Sequence, residues 1–308
     1  MSEHVSLVIA PVDGSPEAAA AAHHAGLLSQ LLDAQLQLVH VMPLNPPELS
    51  DLPANRKAEL DHDRAQRKQA AAAAFAEARK ALHDEAPTPE EVVLEESSFV
   101  RHPERVIIDH ARDQSRALLV MGARQLSDMG KWVRGSVSNA VVHQARGPVT
   151  ILHTDADVLN KARIKRILVP VDGSSHSDMA ARLAGDMARS GRLPVELLFC
   201  RPPREVPLRD DGEPEEMRVF ARSRKALGEV PAGVTQTLLE NEHYARAIVA
   251  HARHCNDSPV IIMGRRGLGK WRESLLGSVS HDVIDDAPCA VTVVSCDKGV
   301  VRRPRRRP

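Results

Sequence analysis

The chain has 308 residues, enough for two ordinary domains that each bury a core. Hydrophobic residues make up 43% and charged residues 27%, as in soluble globular proteins. Aromatic residues make up only 2%, so the core must be aliphatic, and base stacking on single-stranded nucleic acid is disfavoured. The formal net charge of zero hides a basic end, since the final stretch, "RRPRRRP", carries five arginines. We expect 298–308 to be a disordered, solvated tail, with no specific nucleic-acid partner.

The composition of the chain also bears on where the protein works. No stretch approaches the ~20 apolar residues that a membrane span requires, so no membrane partner is expected. The first residues lack the basic region of a signal peptide and lead directly into a strand pattern. The four cysteines all lie in the second half and form no C-x-x-C pair, which is typical of reduced thiols. The sequence therefore predicts a cytoplasmic protein.

The predicted elements alternate between strands and helices along the chain. Short apolar runs predict strands, and helical patterns separate them. In the first half, the strands are "SLVIAPV", "QLQLVHV", "EEVVLEE", "ALLVMG" and "PVTILH", and the helices cover 16–32, roughly 55–84, 103–115 and 136–145. We expect Ser15 to cap the first helix, and the alanine-rich stretch near residue 75 to be a packing surface. Near-continuous apolar strands between helices predict an α/β fold, with a parallel sheet covered on both faces.

The second half repeats the first. "LVIAPVDGS" (7–15) returns as "RILVPVDGS" (166–174), and "ALLVMGAR" (117–124) returns as "PVIIMGRR" (259–266). The stretch "GSVSNAVVHQARGPVTILH" also returns, as "GSVSHDVIDDAPCAVTVVS". In the second copy, Ser175 and Asp178 predict a capping box. Repeats of this length indicate two copies of one domain, which we place at 1–154 and 164–297.

The stretch "GRRGLGKWRESLLGSVS" (264–280) contains the opening of a Walker A loop, but Trp271 occupies the position of the metal-binding hydroxyl residue. The loop also follows the fourth strand, whereas a Walker A loop follows the first. In both copies a strand ends in Met-Gly, and Gly-Ser-Val-Ser opens a helix at the same distance beyond that glycine. Helix N-termini at the carboxyl ends of parallel strands are suited to phosphate. The pattern predicts a phosphate-binding loop of another kind.

The spacing G-x-x-G-x(9)-G-S, formed by Gly264, Gly267, Gly277 and Ser278, resembles the nucleotide loop of the universal stress protein (UspA) family. The two PVDGS strand ends fit the same family, and the resemblance covers essentially the whole chain. It implies two tandem doubly wound domains of five strands each, in the order 3-2-1-4-5, with helices on both faces. We expect the domains to form an internal pseudo-dimer through contact of their sheet edges, without merging into one continuous sheet. Further homo-oligomerisation stays open.

The resemblance also implies an ATP site at the switch point between strands 1 and 4. There Asp172 would contact either the adenosine end of the nucleotide or a bound Mg²⁺ ion. Cys200 would meet adenine through backbone groups, and Gly264 would approach the ribose. The phosphates would lie near Gly267, Gly277, Ser278 and Ser280. The binding residues implied in the second copy are Pro170, Val171, Asp172, Cys200, Met263, Gly264, Arg266, Gly267, Gly277, Ser278, Val279 and Ser280. Their counterparts form a weaker set in the first copy: Asp13, Val41, Gly122, Gly135, Ser136 and Ser138.

Two further observations bear on these assignments. Gln125 replaces the second loop glycine in the first copy, so we expect the second copy to hold the nucleotide. The two aspartates also have a simpler interpretation as turn or capping residues, and Cys200 as an inert thiol. The histidines are scattered and no zinc-binding spacing occurs, so no dedicated metal site is expected.

The sequence favours an ATP-binding regulator in stress response, with unidentified protein partners and no catalytic residues. We expect ATP hydrolysis to be slow at most, because no general base can be named. Two alternatives stay open. One is an adenylating enzyme of a related fold, although its Ser-Gly-Gly-x-Asp-Ser and His-x-Gly-His motifs are absent. The other is a nucleotide-free scaffold.

Overall fold

A computed structural model describes residues 4–42, 57–95, 102–114, 116–123, 136–153, 163–203, 214–255, 257–266 and 276–295. The arginine-rich tail and the loops 124–135 and 267–275 lie outside these ranges. The first half consists of β1 (Leu7–Pro11), α1 (Pro16–Leu32), β2 (Gln35–Met42), α2 (Lys57–Ala81), β3 (Glu90–Glu95), α3 (Pro103–Asp113), β4 (Ala117–Ala123), α4 (Ser136–Gln144) and β5 (Val149–His153).

The second half repeats the same order of elements. It consists of β6 (Arg166–Pro170), α5 (Ser175–Gly191), β7 (Val195–Arg201), α6 (Glu215–Leu227), β8 (Val234–Glu240), α7 (Tyr244–His254), β9 (Pro259–Gly264), α8 (Ser278–Asp286) and β10 (Val291–Val294). The alternation predicted from sequence is confirmed. None of the helices in the described ranges has both the length and the apolar character needed to cross a bilayer.

The ten strands form one sheet in the order β3-β2-β1-β4-β5-β10-β9-β6-β7-β8. Each half therefore has the expected order 3-2-1-4-5, and its strands are parallel. The halves meet where β5 and β10 pair antiparallel. Contact through the sheet edges is confirmed, but the expectation that the two sheets stay separate is wrong. The unpaired backbone groups of the two edge strands satisfy each other, as buried edges must.

Two hydrophobic layers cover the sheet, because successive side chains of each strand point to opposite faces. One layer contains Val8 and Ile167 and packs under α1, α2, α5 and α6. The other contains Ile9 and Leu168 and packs under α3, α4, α7 and α8. In α2 the alanine-rich stretch buries Ala71, Ala74, Phe75 and Ala78. This i, i+3, i+4, i+7 spacing confirms that the stretch is a packing surface.

Candidate functional site

A cavity of about 740 Å³ lies in the second half, at the carboxyl ends of β6, β7 and β9. Its volume falls within the usual range of ligand sites, roughly 300–1,000 Å³. Eleven of the twelve residues implied for the second copy line it: Pro170, Val171, Asp172, Cys200, Met263, Gly264, Arg266, Gly277, Ser278, Val279 and Ser280. The twelfth, Gly267, lies outside the described residues. The fold thus brings together four separate segments of the sequence.

The cavity also has lining residues that were not predicted from the sequence, namely Ser177, Leu198, Tyr244, Ile248, Leu276 and His281. Leu198 shares a strand face with Cys200, two residues later, so the period of two could have identified it. Tyr244 and Ile248 are four residues apart at the start of α7, on one helix face. Tyr244 is also the only tyrosine of the chain, and this rarity could have marked it as a candidate binding residue.

The shared Asp-Gly-Ser sequence forms the same turn in both halves. The backbone N–H of Ser174 donates to Asp172 Oδ1 at 3.0 Å, and that of Ser15 donates to Asp13 Oδ1 at 2.9 Å. The glycine between them has a positive φ in both copies, which a side chain would disfavour. One carboxylate oxygen of each aspartate therefore has a structural role in the turn. This agrees with the interpretation of the two aspartates as turn residues.

The serine of each turn caps the helix that follows. Ser15 Oγ accepts from the N–H of Ala18 at 3.2 Å, which confirms the predicted cap of α1. In the second copy the cap is Ser174, whose Oγ accepts from the N–H of Ser177 at 3.2 Å. The predicted capping box of Ser175 and Asp178 is therefore wrong. The left-handed glycine places Ser174 at the cap, and Asp178 instead forms an ion pair with Arg222.

Gly264 and Gly122, at the ends of β9 and β4, allow a helix to pack closely on the strand. A Cβ atom on Gly264 would lie 2.8 Å from the carbonyl carbon of His176, and one on Gly122 would lie 2.3 Å from the carbonyl oxygen of Glu17. Both distances are too short for real contacts. The first turns of α5 and α1 therefore explain the two glycines without a ligand. Gly264 nevertheless lines the cavity.

The amino end of α8 forms one wall of the cavity. Gly277 is the N-cap and offers no capping side chain, while its own N–H donates to Arg265 O at 2.9 Å. The first backbone N–H groups of a helix have no partner within the helix and carry partial positive charge. Ser280 is buried and donates its hydroxyl proton to Gly264 O at 2.9 Å, which holds α8 against β9. This wall is suited to an anion.

The other side of the cavity is apolar. It includes Leu198 and Ile248, which are both buried, and the Cys200 thiol. Burial raises the pKa of Cys200 to about 12, so this thiol is uncharged at neutral pH. Cys200 is therefore suited to packing against a neutral ring, in agreement with the interpretation as an inert thiol.

His281 lines the cavity from the first turn of α8. Its Nδ1 lies 3.0 Å from Asp285 Oδ2, one helical turn later. A carboxylate beside one ring nitrogen orients an imidazole and fixes which nitrogen carries the proton. No general base was apparent from the sequence, and among the described residues this histidine–carboxylate pair at the cavity comes nearest to that role.

The implied residues of the first half are only partly described. Asp13 is exposed at the end of β1, Val41 is half-buried in β2, and Gly122 lies in β4. Ser138 is buried in the first turn of α4, which Ser136 begins. Gly135 and Gln125 lie outside the described residues. The expected difference between the two loops is therefore still a prediction.

Comparisons with known proteins agree with this architecture. The family model described as "Universal stress protein family" matches residues 6–153 and again 163–295. A universal stress protein of Mycolicibacterium smegmatis is 26% identical over 300 residues, covering 93% of this chain and 96% of that protein. One from Thermus aquaticus is 35% identical over 138 residues, covering 42% of this chain and 98% of that protein.

Among solved structures, a universal stress protein from Archaeoglobus fulgidus superposes with a TM-score of 0.62 at 23% identity. The match covers 94% of this chain and 98% of that one. At this identity, it supports the fold alone. The two matches of the family model together span nearly the whole chain, and each match covers one set of five strands. The chain belongs to the universal stress protein family, as a tandem member that contains the family domain twice.

Proposed function

We propose that the protein is an ATP-binding regulator whose second domain, 164–297, holds the nucleotide. The observation that carries the proposal is the division of the cavity into an apolar side and an anion-binding side. Leu198, Cys200 and Ile248 lie on β7 and α7, whereas Arg266 and the amino end of α8 lie beyond β9. ATP has the same division, with a neutral base at one end and phosphates at the other.

In this proposal adenine lies against the apolar side, near Tyr244 and the backbone of Val171. The phosphates lie at the N-terminus of α8, beside Arg266, where Ser278 and Val279 present backbone N–H groups and Gly277 has no side chain. Gly267 and the rest of the loop 264–280 would complete this end. Met263 and Pro170, at the ends of β9 and β6, form the floor between the two sides.

Asp172 fits a role in holding Mg²⁺. Its Oδ1 accepts from the N–H of Ser174, while its side chain lines the cavity. A carboxylate near phosphates is repulsive unless a cation lies between them, and carboxylate oxygens are ligands that Mg²⁺ prefers. Mg²⁺ would neutralise part of the phosphate charge there. Asp172 would contribute one oxygen ligand.

The first domain, 1–154, has the same turn and the same helix packing but a degenerate nucleotide loop. We propose that its set, from Asp13 to Ser138, forms at most a weaker site. The tail, 298–308, is outside this assignment. A regulator of this kind acts in the cytoplasm through protein partners that read its nucleotide state.

Turnover of ATP is not the function we propose. Arg266 supplies charge, but among the described lining residues of the cavity only His281 carries an imidazole in position to move a proton. The alternatives are an adenylating or slowly hydrolysing enzyme, for which His281 is the best argument, and a nucleotide-free scaffold.

Native mass spectrometry of the freshly purified chain separates these functions. Co-purified ATP supports the regulator, AMP or an adenylate supports the enzyme, and the absence of nucleotide together with failure to bind added Mg²⁺–ATP supports the scaffold. Arg266→Ala should weaken ATP binding by about 10–100-fold, since a hydrogen bond to a charged group contributes about 1.5–3 kcal/mol. Arg124→Ala, at the equivalent position of the first copy, is the matched control and should change binding little.

A further inference from the structure

A polar cluster lies at the opposite end of the second domain from the cavity. Glu196 is the second residue of β7, at its amino end, and His251 and Cys255 are on the last turn and the C-cap of α7. One ligand atom from each of the three residues lies within 4.8 Å of the others. The proposed nucleotide site does not use any of these side chains.

Glu196 is almost fully buried, with 6% of its surface exposed. Its Oε1 accepts from Thr237 Oγ1 at 2.6 Å and lies 3.0 Å from His251 Nε2. Its Oε2 lies 3.1 Å from Arg166 Nη1, and Arg166 also donates to Asp257 Oδ2 at 2.9 Å. His251 Nε2 is buried, yet it makes no aligned hydrogen bond despite the short distance. A buried ring nitrogen that faces a carboxylate oxygen in this way is suited to a cation between them.

The duplication supplies an internal comparison. The first copy has Gln37, His110 and Gln114 at the positions of Glu196, His251 and Cys255, and Gln114 is likewise the C-cap of its helix. There the histidine Nε2 lies 2.6 Å from Gln37 Oε1, a hydrogen bond between neutral groups. The second copy keeps the histidine and has a carboxylate and a thiol in place of the two amides. Both differences convert a poor metal ligand into a good one.

We propose that Glu196, His251 and Cys255 bind one Zn²⁺ ion. A mixed set of imidazole, thiolate and carboxylate suits Zn²⁺, and water would occupy the fourth tetrahedral position. With bonds of about 2.0–2.3 Å, ligand atoms are about 3.3–3.8 Å apart, so the side chains need to move by only about 1 Å. The charges of Zn²⁺ and Arg166 would balance those of Glu196, Asp257 and the Cys255 thiolate.

The bound ion would link α7 to β7. Without metal, burial and the nearby carboxylate of Glu196 raise the pKa of Cys255, so Zn²⁺ must displace the thiol proton. No dedicated metal site was expected from the sequence, because the three ligands form no local motif. Glu196 and His251 are far apart in the sequence, and only the packing of α7 brings them together.

Co²⁺ and Zn²⁺ added to the full-length chain test the proposal. The chain is treated with a chelator under reducing conditions, and Co²⁺ is then titrated while the thiolate-to-cobalt charge-transfer absorption is recorded. We expect this absorption to appear with one equivalent of Co²⁺ and to disappear when Zn²⁺ is added. Zn²⁺ affinity is measured independently by competition with a chromophoric chelator.

Variants assign the site. Cys255→Ser should abolish the charge-transfer absorption, and His251→Gln should weaken Zn²⁺ binding at least tenfold, since even residues that only support a metal ligand contribute about 10–100-fold. Cys200→Ser and His110→Gln are the matched controls and should bind metal like the unchanged chain. Circular dichroism checks that every variant is folded. The proposal is overturned if no charge-transfer absorption appears, or if Cys255→Ser and Cys200→Ser bind Zn²⁺ equally.

Discussion

The hydroxyl oxygens of Thr150 and Thr292 lie 2.8 Å apart in a hydrogen bond between β5 and β10. The two residues occupy the same position in the two copies, and they are direct partners in the antiparallel register. A residue can pair with its own counterpart only on a two-fold axis. The pseudo-two-fold axis of the molecule therefore passes between these two threonines, and both are fully buried.

The threonine pair predicts a non-additive effect on stability. Thr150→Val and Thr292→Val should each lower the free energy of unfolding by about 1–3 kcal/mol, because each leaves one buried hydroxyl without its partner. The double variant should cost less than the sum of the two, since no hydroxyl is left unpaired. Denaturant unfolding of all four proteins measures the coupling. Strict additivity would contradict the role of the pair.

The glycines at the ends of β4 and β9 should be needed for packing. Gly264→Ala should lower the free energy of unfolding by about 1–3 kcal/mol, the usual cost of overpacking. Gly122→Ala should cost more, because its Cβ would meet a backbone oxygen at 2.3 Å, compared with 2.8 Å to backbone carbon at Gly264. Thermal unfolding of the two variants, without nucleotide, shows which of them is destabilised more. Equal or negligible effects would show that α1 and α5 shift freely on the sheet.

The two loops should differ in nucleotide affinity, giving close to one ATP per chain. Gln125 carries a Cβ where Gly267 has none, and a left-handed conformation would cost it about 1–2 kcal/mol. An energy of about 1.4 kcal/mol corresponds to a tenfold change in affinity. Titration calorimetry of Gly267→Gln should show loss of the tight site, and Gln125→Gly should strengthen the weak one. Two equal sites in the unchanged chain would refute the argument.

ATP hydrolysis should be slow or absent, well below the roughly 1–10³ s⁻¹ of ordinary enzymes. Any residual activity should depend on His281, whose ring lies 3.0 Å from Asp285 at the cavity. His281→Gln should then abolish it, while His254→Gln, on the far end of α7, serves as a control. Steady-state phosphate release measures both. A rate in the ordinary range would make the protein an enzyme.

His24 predicts a pH dependence of stability. Burial in α1, followed by the charge of His23, lowers the pKa of His24 from 6.5 to about 4. The unfolded chain therefore takes up a proton near pH 6.5, while the folded chain does so only near pH 4. Stability should fall as the pH drops through this window, by about 3 kcal/mol at roughly 1.36 kcal/mol per pKa unit.

Replacing the ionisable group tests this. His24→Gln should have a flatter stability curve between pH 6.5 and 4 than the unchanged chain, whatever its stability at neutral pH. Denaturant unfolding between pH 6.5 and 4 measures both stability curves. If the stability of His24→Gln falls with pH as steeply as that of the unchanged chain, the prediction is wrong.

The sequence by itself determined the two-fold repeat and the order of strands and helices along the chain. These features depend on local periodicity and on short motifs such as Asp-Gly-Ser, whose turn needs only one aspartate, one left-handed glycine and one capping serine. The strand order in the sheet and the expected binding residues came from the family resemblance. The structure has that strand order and places eleven of the twelve residues of the second copy around the cavity. The cap at Ser174 was missed by one residue because two consecutive serines satisfy the same pattern.

The tertiary structure alone decided the relations between distant elements. The pairing of Thr150 with Thr292 depends on the direction and register in which the two edge strands pair, and no local pattern specifies either. Tyr244 and Ile248 reach the cavity because α7 packs over β7. The same packing brings together Glu196, His251 and Cys255. Burial of the apolar face of a helix also fixes the positions of its polar residues, and the sequence alone does not show which of these become neighbours.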